Sequence, residues 1–355
     1  MLVLTEACNL DCVYCYEAHK SGRGMETETA LGILQSEIAR AADGLDIVLM
    51  GGEPLLRFET IRILCDFGLE SGRCRFEIPT NGTLLTEEMR RYFAGRRGGI
   101  KLSLSADGLG EMHRKNRCGP AADLGFFVEN WPGAPVRATI WPDTAALLAE
   151  SILPLHERRM PVAVHLADGV VWGHQACEAL RDGMRALTEY YLRNPDVRPV
   201  SSLYSPAFWE HLAYGMPCNI PESCCPPGSS RAVYDVDGRV YPCHMLLPVA
   251  AGERAERFAG CDSCVPDGMI EDGRCLRCRL RGICENCMGV NLLVAGDVRR
   301  CVKHELQCEA TWVRAAEALR WFALGVERRI RAGDAVSAAD VRAARRAIDF
   351  LSTNP

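Results

Sequence analysis

The run CNLDCVYC places Cys8, Cys12 and Cys15 at C-x3-C-x2-C spacing directly behind the apolar stretch Leu2–Thr5, and no other feature narrows this chain's folding options as far. Three thiolates on one short loop can hold three irons of a cubane cluster. Cubanes normally take four cysteines, so the fourth iron is left open to bind and activate a small molecule. The loop must then sit at the end of a rigid element that fixes the three sulfurs. Thiolates at short spacing also suit tetrahedral zinc, and the triad alone leaves a zinc half-site open.

The rest of the cysteine usage points the same way. The chain has 19 cysteines in 355 residues, and twelve of them fall between Cys218 and Cys308. The opening MLVLTEAC is too short for a signal peptide, which predicts a cytoplasmic protein. In a reducing compartment, clustered cysteines bind metal or do chemistry and do not form a disulfide framework. The formal net charge is −5, and no Lys/Arg stripe with interleaved aromatics appears, so nucleic acid is a poor substrate candidate. No apolar run reaches the ~18 residues of a spanning helix, so no membrane partner is expected.

The first half alternates strand-like and helix-like segments. Strands are predicted at Leu2–Thr5, Ile47–Met50, Arg75–Pro79, Ile100–Ser103, Val136–Ile140 and Val162–Leu166, with helices between them and a closing helix over 175–194. Such alternation argues for an α/β fold with a parallel sheet wound by right-handed crossovers, here a partial (β/α)6 TIM-like barrel. Functional loops of barrels stand at the C-terminal strand ends, where the cysteine triad falls. Predicted domains are a barrel over 1–195, a proline-marked linker over 196–217, a cysteine-rich domain over 218–308 and a helical segment over 309–355. Residues 218–308 have little apolar periodicity, so metal binding is expected to stabilise them.

Further motifs follow the other strands: Gly51-Gly52-Glu53-Pro54 after the second, Thr80-Asn81-Gly82 after the third, and Ser105-Ala106-Asp107-Gly108 with His113, Arg114 and Arg117 after the fourth. Together with the triad, this set resembles the radical S-adenosylmethionine (SAM) superfamily, with its GGEP, TNG and S-x-DG…H-x3-R segments. The resemblance implies a 4Fe–4S cluster on Cys8, Cys12 and Cys15, with SAM on the open iron. It implies that Gly51 and Gly52 let the backbone approach the cofactor and that Glu53 receives the methionine ammonium. Asn81 belongs to the TNG turn, and Ser105 and Arg117, with Arg114 as alternative, meet the SAM carboxylate or ribose. Tyr14 matches the aromatic that packs on adenine. The implied chemistry is reductive SAM cleavage to a 5′-deoxyadenosyl radical, which removes a hydrogen atom from an unactivated C–H bond.

The downstream cysteines resemble the SPASM domain, a carrier of two auxiliary 4Fe–4S clusters, through Cys225-x12-Gly238-x4-Cys243 and Cys275-x2-Cys278-x5-Cys284-x2-Cys287, then Cys301 and Cys308. The departure is at Cys284-x2-Cys287, where the domain usually has x3. The resemblance implies a first auxiliary cluster on Cys218, Cys225, Cys243 and Cys287, with Cys224 as alternative to Cys218. It implies a second on Cys275, Cys278, Cys284 and Cys308, with Cys301 as alternative to Cys308. The total is three 4Fe–4S clusters.

SPASM enzymes mostly modify peptides, so the resemblance implies a maturase that installs a crosslink, a thioether or a carbon–carbon bond, in a ribosomally made precursor peptide. Alternatives are a dehydrogenase-type or sulfatase-type maturase that oxidises a side chain or small alcohol, and, outside enzymes, an iron–sulfur electron carrier. His244 stands where sulfatase maturases place an aspartate base; it is the one candidate for a catalytic residue, although a structural histidine is the plainer reading. GGEP, TNG and S-x-DG speak against a carrier, which needs no SAM pocket. Flavodoxin or ferredoxin is the expected reductant. No winged-helix leader-binding domain precedes Cys8, so a separate leader-binding protein or the C-terminal helices are expected to recognise the leader.

Overall fold

The computed structural model describes residues 1–217, 232–261 and 270–353. Six parallel strands carry the first half: β1 (Leu2–Thr5), β2 (Leu45–Gly51), β3 (Cys74–Thr80), β4 (Ile100–Leu104), β5 (Val136–Ile140) and β6 (Val162–Leu166). β1 to β4 pair in sequence order and β5 pairs β6; a parallel bridge between Ser105 and Arg137 joins the two groups. The connecting helices are α1 (Thr27–Arg40), α2 (Phe58–Glu70), α3 (Glu87–Gly95), α4 (Glu111–Arg117), α5 (Leu124–Asn130), α6 (Leu148–Glu157) and α7 (His174–Arg193). This is an α/β radical SAM-type partial barrel, as the alternation of segments predicts.

One face of every strand is packed under those helices. Leu4, Leu49, Ile78, Leu102, Ile140 and Val164, one from each strand, are fully buried. The opposite face is polar: Glu77 of β3 accepts from Ser103 Oγ (2.6 Å) and pairs with Arg137 and, at 3.6 Å, with Lys101. Strands buried on both sides read as unbroken apolar runs; β1 is such a strand, whereas β3, β5 and β6 alternate buried with more exposed positions.

β7 (Val233–Tyr234) and β8 (Val240–Tyr241) form an antiparallel hairpin whose first strand joins the sheet beside β1. Asp235 accepts from the backbone N–H of Asp237 and Arg239, and Gly238 takes φ +78°, which closes the Asp-Gly turn. The hairpin therefore delivers Cys243 to the barrel edge that carries the triad.

Residues 196–217 are not a plain linker. They include the helix Pro206–Leu212, in which the proline occupies the first turn, where its missing N–H costs nothing. Its Trp209 stacks on Phe322 with ring centroids 6.0 Å apart. That contact docks it on the C-terminal hairpin of helices Cys308–Arg331 and Ala338–Thr353, which in turn packs on α7. Among the described residues, no helix is long and apolar enough to cross a membrane.

Candidate active site

The triad loop is tied on three sides. Gly52 N–H donates to Thr5 O (3.0 Å) and Glu53 N–H to Ala7 O (2.9 Å), which joins the loop to the turn after β2. Asn81 Nδ2 donates to Asn9 Oδ1 (2.9 Å), and Asn9 Nδ2 donates to Thr83 Oγ1 (2.8 Å), which joins it to the turn after β3. Val13 N–H donates to Asn116 O (2.9 Å), which joins it to the end of α4. The three thiols are close enough to feel one another's charge, and burial pushes Cys12 up to about 11. The Lys20 ammonium stands near enough to Cys15 for their charges to interact. Burial likewise raises Cys8, so the Cys8 and Cys12 thiols hold protons that metal must displace.

Glycine is required where the turn after β2 meets the loop. A Cβ on Gly52 would lie 2.4 Å from Ala7 O and 3.0 Å from Cys8 Cβ, and one on Gly51 would lie 2.3 Å from Thr5 O. Gly52→Ala should therefore displace Cys8 while the core packs as before. The expected result is a reconstituted protein with a wild-type circular dichroism spectrum and several-fold less iron at the triad; undiminished iron would show that the loop moves freely.

Glu53 is almost fully buried, and its carboxylate already accepts from Leu55 N–H (3.1 Å), Thr80 Oγ1 (2.7 Å) and Asn81 N–H (2.9 Å). It braces the ends of β2 and β3 and has little capacity left for a ligand ammonium. The centre of the polar network is Asp107, which is fully buried. It accepts from Tyr14 OH (2.5 Å), Arg117 Nη2 (3.1 Å) and Thr139 N–H (2.8 Å). The Arg117 guanidinium lies 5.7 Å from the Tyr14 ring centroid. His113 Nδ1 accepts from Asp107 N–H while Nε2 faces Pro120 O, a pairing met by the neutral tautomer, and burial lowers its pKa.

Among the described residues, Arg117 Nε is buried with no partner, and none partners the Ser105 hydroxyl. An orphaned guanidinium N–H beside three thiols on one loop suits an anionic group of a ligand held at that loop. Tyr14, whose ring is expected against adenine, donates its hydroxyl to Asp107. Arg114 is exposed, whereas Arg117 is buried in the network. Asp107 was not singled out as a site residue; a lone carboxylate at the end of an apolar strand was the signal for it.

The cysteine-rich region makes a second thiol field. Cys275, Cys278, Cys284, Cys301 and Cys308 line one cavity of about 280 Å³, with Glu271, Lys303 and His304. Cys243 and Cys287 pack against one small apolar cluster with Tyr16. Tyr16 follows Cys15 and meets the His244 ring edge-on with centroids 5.3 Å apart, so His244 joins the two thiol fields. Cys218, Cys224 and Cys225 lie outside the described residues.

A partial barrel with an open-sided cysteine triad defines the class of protein, and the comparisons agree. Residues 2–130 match the radical SAM superfamily. The AdoMet-dependent heme synthase of Methanosarcina barkeri is 38% identical over 126 residues, which are 34% of this chain and 34% of that protein. The aligned stretch spans little more than a third of the curated relatives it matches. Among solved structures, native anSMEcpe with bound AdoMet superposes with TM-score 0.66 at 16% identity, over 91% of this chain and 98% of that one. SuiB of Streptococcus suis bound to precursor peptide SuiA superposes with TM-score 0.58 at 17% identity, over 84% and 73%. At these identities the likeness is one of fold. Residues 2–130 are thus similar to the radical SAM superfamily, a likeness that implies SAM and one 4Fe–4S cluster, which the triad and the orphaned donors fit.

Proposed function

We propose that this protein is a radical SAM maturase of the SPASM type that abstracts hydrogen from a peptide and installs a crosslink, a thioether in the first instance. The observation that carries the reading is the second thiol field: five cysteines around one cavity, and Cys243 and Cys287 beside the triad loop. A SAM-cleaving barrel needs no such field, whereas an enzyme that must remove an electron after bond formation does. The similar structures support a peptide substrate, since anSMEcpe holds the Cp18Cys peptide and SuiB its precursor peptide.

When bound, the triad cluster and SAM supply one-electron chemistry and hydrogen abstraction. The chain's own residues position them. Cys8, Cys12 and Cys15 would hold the cluster, Arg117 Nε and the Ser105 hydroxyl would meet the SAM carboxylate or ribose, and Asp107 holds Arg117 in place. The polar lumen of Glu77, Lys101, Ser103 and Arg137 would receive the peptide backbone. Cys243, Cys287 and cysteines outside the described residues would hold one auxiliary cluster, and four of the five cavity thiols another.

Anaerobically reconstituted protein should contain about twelve irons if three cubanes bind. With SAM, a reductant and a short cysteine-containing peptide encoded beside the gene, the peptide should lose two hydrogens and become resistant to thiol alkylation. About four irons would sink the auxiliary-cluster reading. A peptide that loses two hydrogens but keeps a free thiol would replace crosslinking by side-chain oxidation.

A further inference from the structure

The helix Cys308–Arg331 turns two charged side chains toward its neighbours, and the fold treats them differently. Glu317 is buried and paired twice, with Arg185 Nε at 3.3 Å and Arg320 Nε at 3.2 Å. Arg314, one turn earlier, is in ion-pair contact with no carboxylate among the described residues, and its Nε is buried without a partner. We infer that Arg314 is the point at which a carboxylate of the peptide substrate docks in the lumen; this rests on the proposed reading of a peptide substrate.

The first ground is a guanidinium held in place with its charge unanswered. Arg314 Nη2 donates to Ser202 O (2.7 Å), and the guanidinium lies 5.5 Å from the Phe208 ring centroid. A carbonyl and an aromatic face orient a guanidinium, but neither neutralises it. Burial lowers the pKa of Arg314, and Glu285 and Asp168 offset this only from a distance. Asp168 is already taken by Lys303 Nζ at 3.2 Å, and Glu285 is exposed. A charge removed from water without a partner is costly, and an apolar side chain would fill the same place without that cost. The arrangement suits an anion that arrives with a ligand, and the fork of arginine matches a carboxylate.

The second ground is placement. Arg314 stands two turns after Gln307, on the same face of the helix, and Gln307 Nε2 donates to Ala167 O just past the end of β6. That face therefore looks onto the strand end where barrels carry their functional groups. His165 of β6 is exposed between buried Val164 and Leu166, so it points into the lumen, and it is near enough for its charge to interact with that of Arg314. In register beside His165 is Thr139 of β5, whose N–H donates to Asp107 (2.8 Å). A carboxylate held by Arg314 would thus lie about two strands from the network that positions Arg117.

The test uses the anaerobically reconstituted full chain with SAM present, so that Arg117 and the triad are occupied. Its thermal midpoint is followed at constant ionic strength against three probes. N-acetylglutamate α-amide carries a side-chain carboxylate, N-acetylglycine carries a C-terminal one, and N-acetylglutamine amide is neutral. At least one carboxylate probe should raise the midpoint and the neutral probe should not; the larger rise tells a side-chain carboxylate from a peptide C-terminus. In Arg314→Met the response should weaken about tenfold or more. Arg314→Lys, which keeps the charge and the stem, guards against a folding defect and should lose less. Without probe, Glu285→Gln should melt like the wild type, because Glu285 is not the counter-ion. No response in the wild type, an equal response to the neutral probe, an unchanged response in Arg314→Met, or a lowered midpoint in Glu285→Gln would each overturn the inference. Probe binding needs no turnover, so a protein that binds through Arg314 yet modifies no peptide would reject the maturase reading alone. Peptide turnover without a probe response would reject only the role of Arg314.

Discussion

Replacement of Cys8, Cys12 and Cys15 together by alanine is expected to reduce 5′-deoxyadenosine formation to the level without enzyme, measured by chromatography after incubation with SAM and dithionite. The three sulfurs are the only cysteines on the loop that Gly52, Asn81 and Asn116 hold against the barrel mouth. No other cysteine shares that loop. The same protein should keep about eight irons if two auxiliary cubanes remain. The pair of measurements separates the roles: lost cleavage with retained iron places SAM chemistry at the triad, whereas retained cleavage would refute it. Because the loop is anchored by backbone hydrogen bonds and the Asn9–Asn81 pair and not by its sulfurs, the variant should melt close to the wild type once both are stripped of metal.

The sequence made the barrel legible wherever a strand had an apolar face to bury. β1, β5 and β6 begin and end where their apolar runs do, since Leu4, Ile140 and Val164 must be covered. The helix Pro206–Leu212 is hidden in the sequence because Pro206 and the prolines before it, Pro195 and Pro199, read as breakers, while its packing partners, Trp321 and Phe322, lie over a hundred residues away. The site was legible as motifs but not as bonds. Spacing locates Glu53 and Tyr14, yet it cannot show that Glu53's oxygens are taken by Leu55, Thr80 and Asn81, or that Tyr14 donates to Asp107. Those pairings depend on how three strand ends converge.

Asp107→Ala is expected to produce the largest loss of stability of any single substitution at this site. The carboxylate is fully buried and is the counter-charge of Arg117, which is itself buried at 7% exposure. Its removal leaves a guanidinium without an anion, a change that costs about 3–5 kcal/mol when a buried pair loses one partner. Tyr14 OH and Thr139 N–H lose their acceptor in the same step, and each buried donor left unmet adds about 1–3 kcal/mol unless water enters. Asp107→Asn does not rescue the site. Its amide oxygen can serve Arg117 and Thr139 while the amide nitrogen donates to the Tyr14 oxygen, but the counter-charge of Arg117 is gone. The double variant Asp107→Ala with Arg117→Ala removes both charges and should be more stable than Asp107→Ala alone, because an absent pair is cheaper than a broken one. Urea or thermal unfolding of the four proteins in the cycle measures the coupling. Strict additivity would show that the two groups do not act as a pair. SAM affinity separates structure from function in the same set: if Asp107 serves to aim Arg117, the double variant recovers stability but not binding, and recovery of both would remove Arg117 from the SAM site.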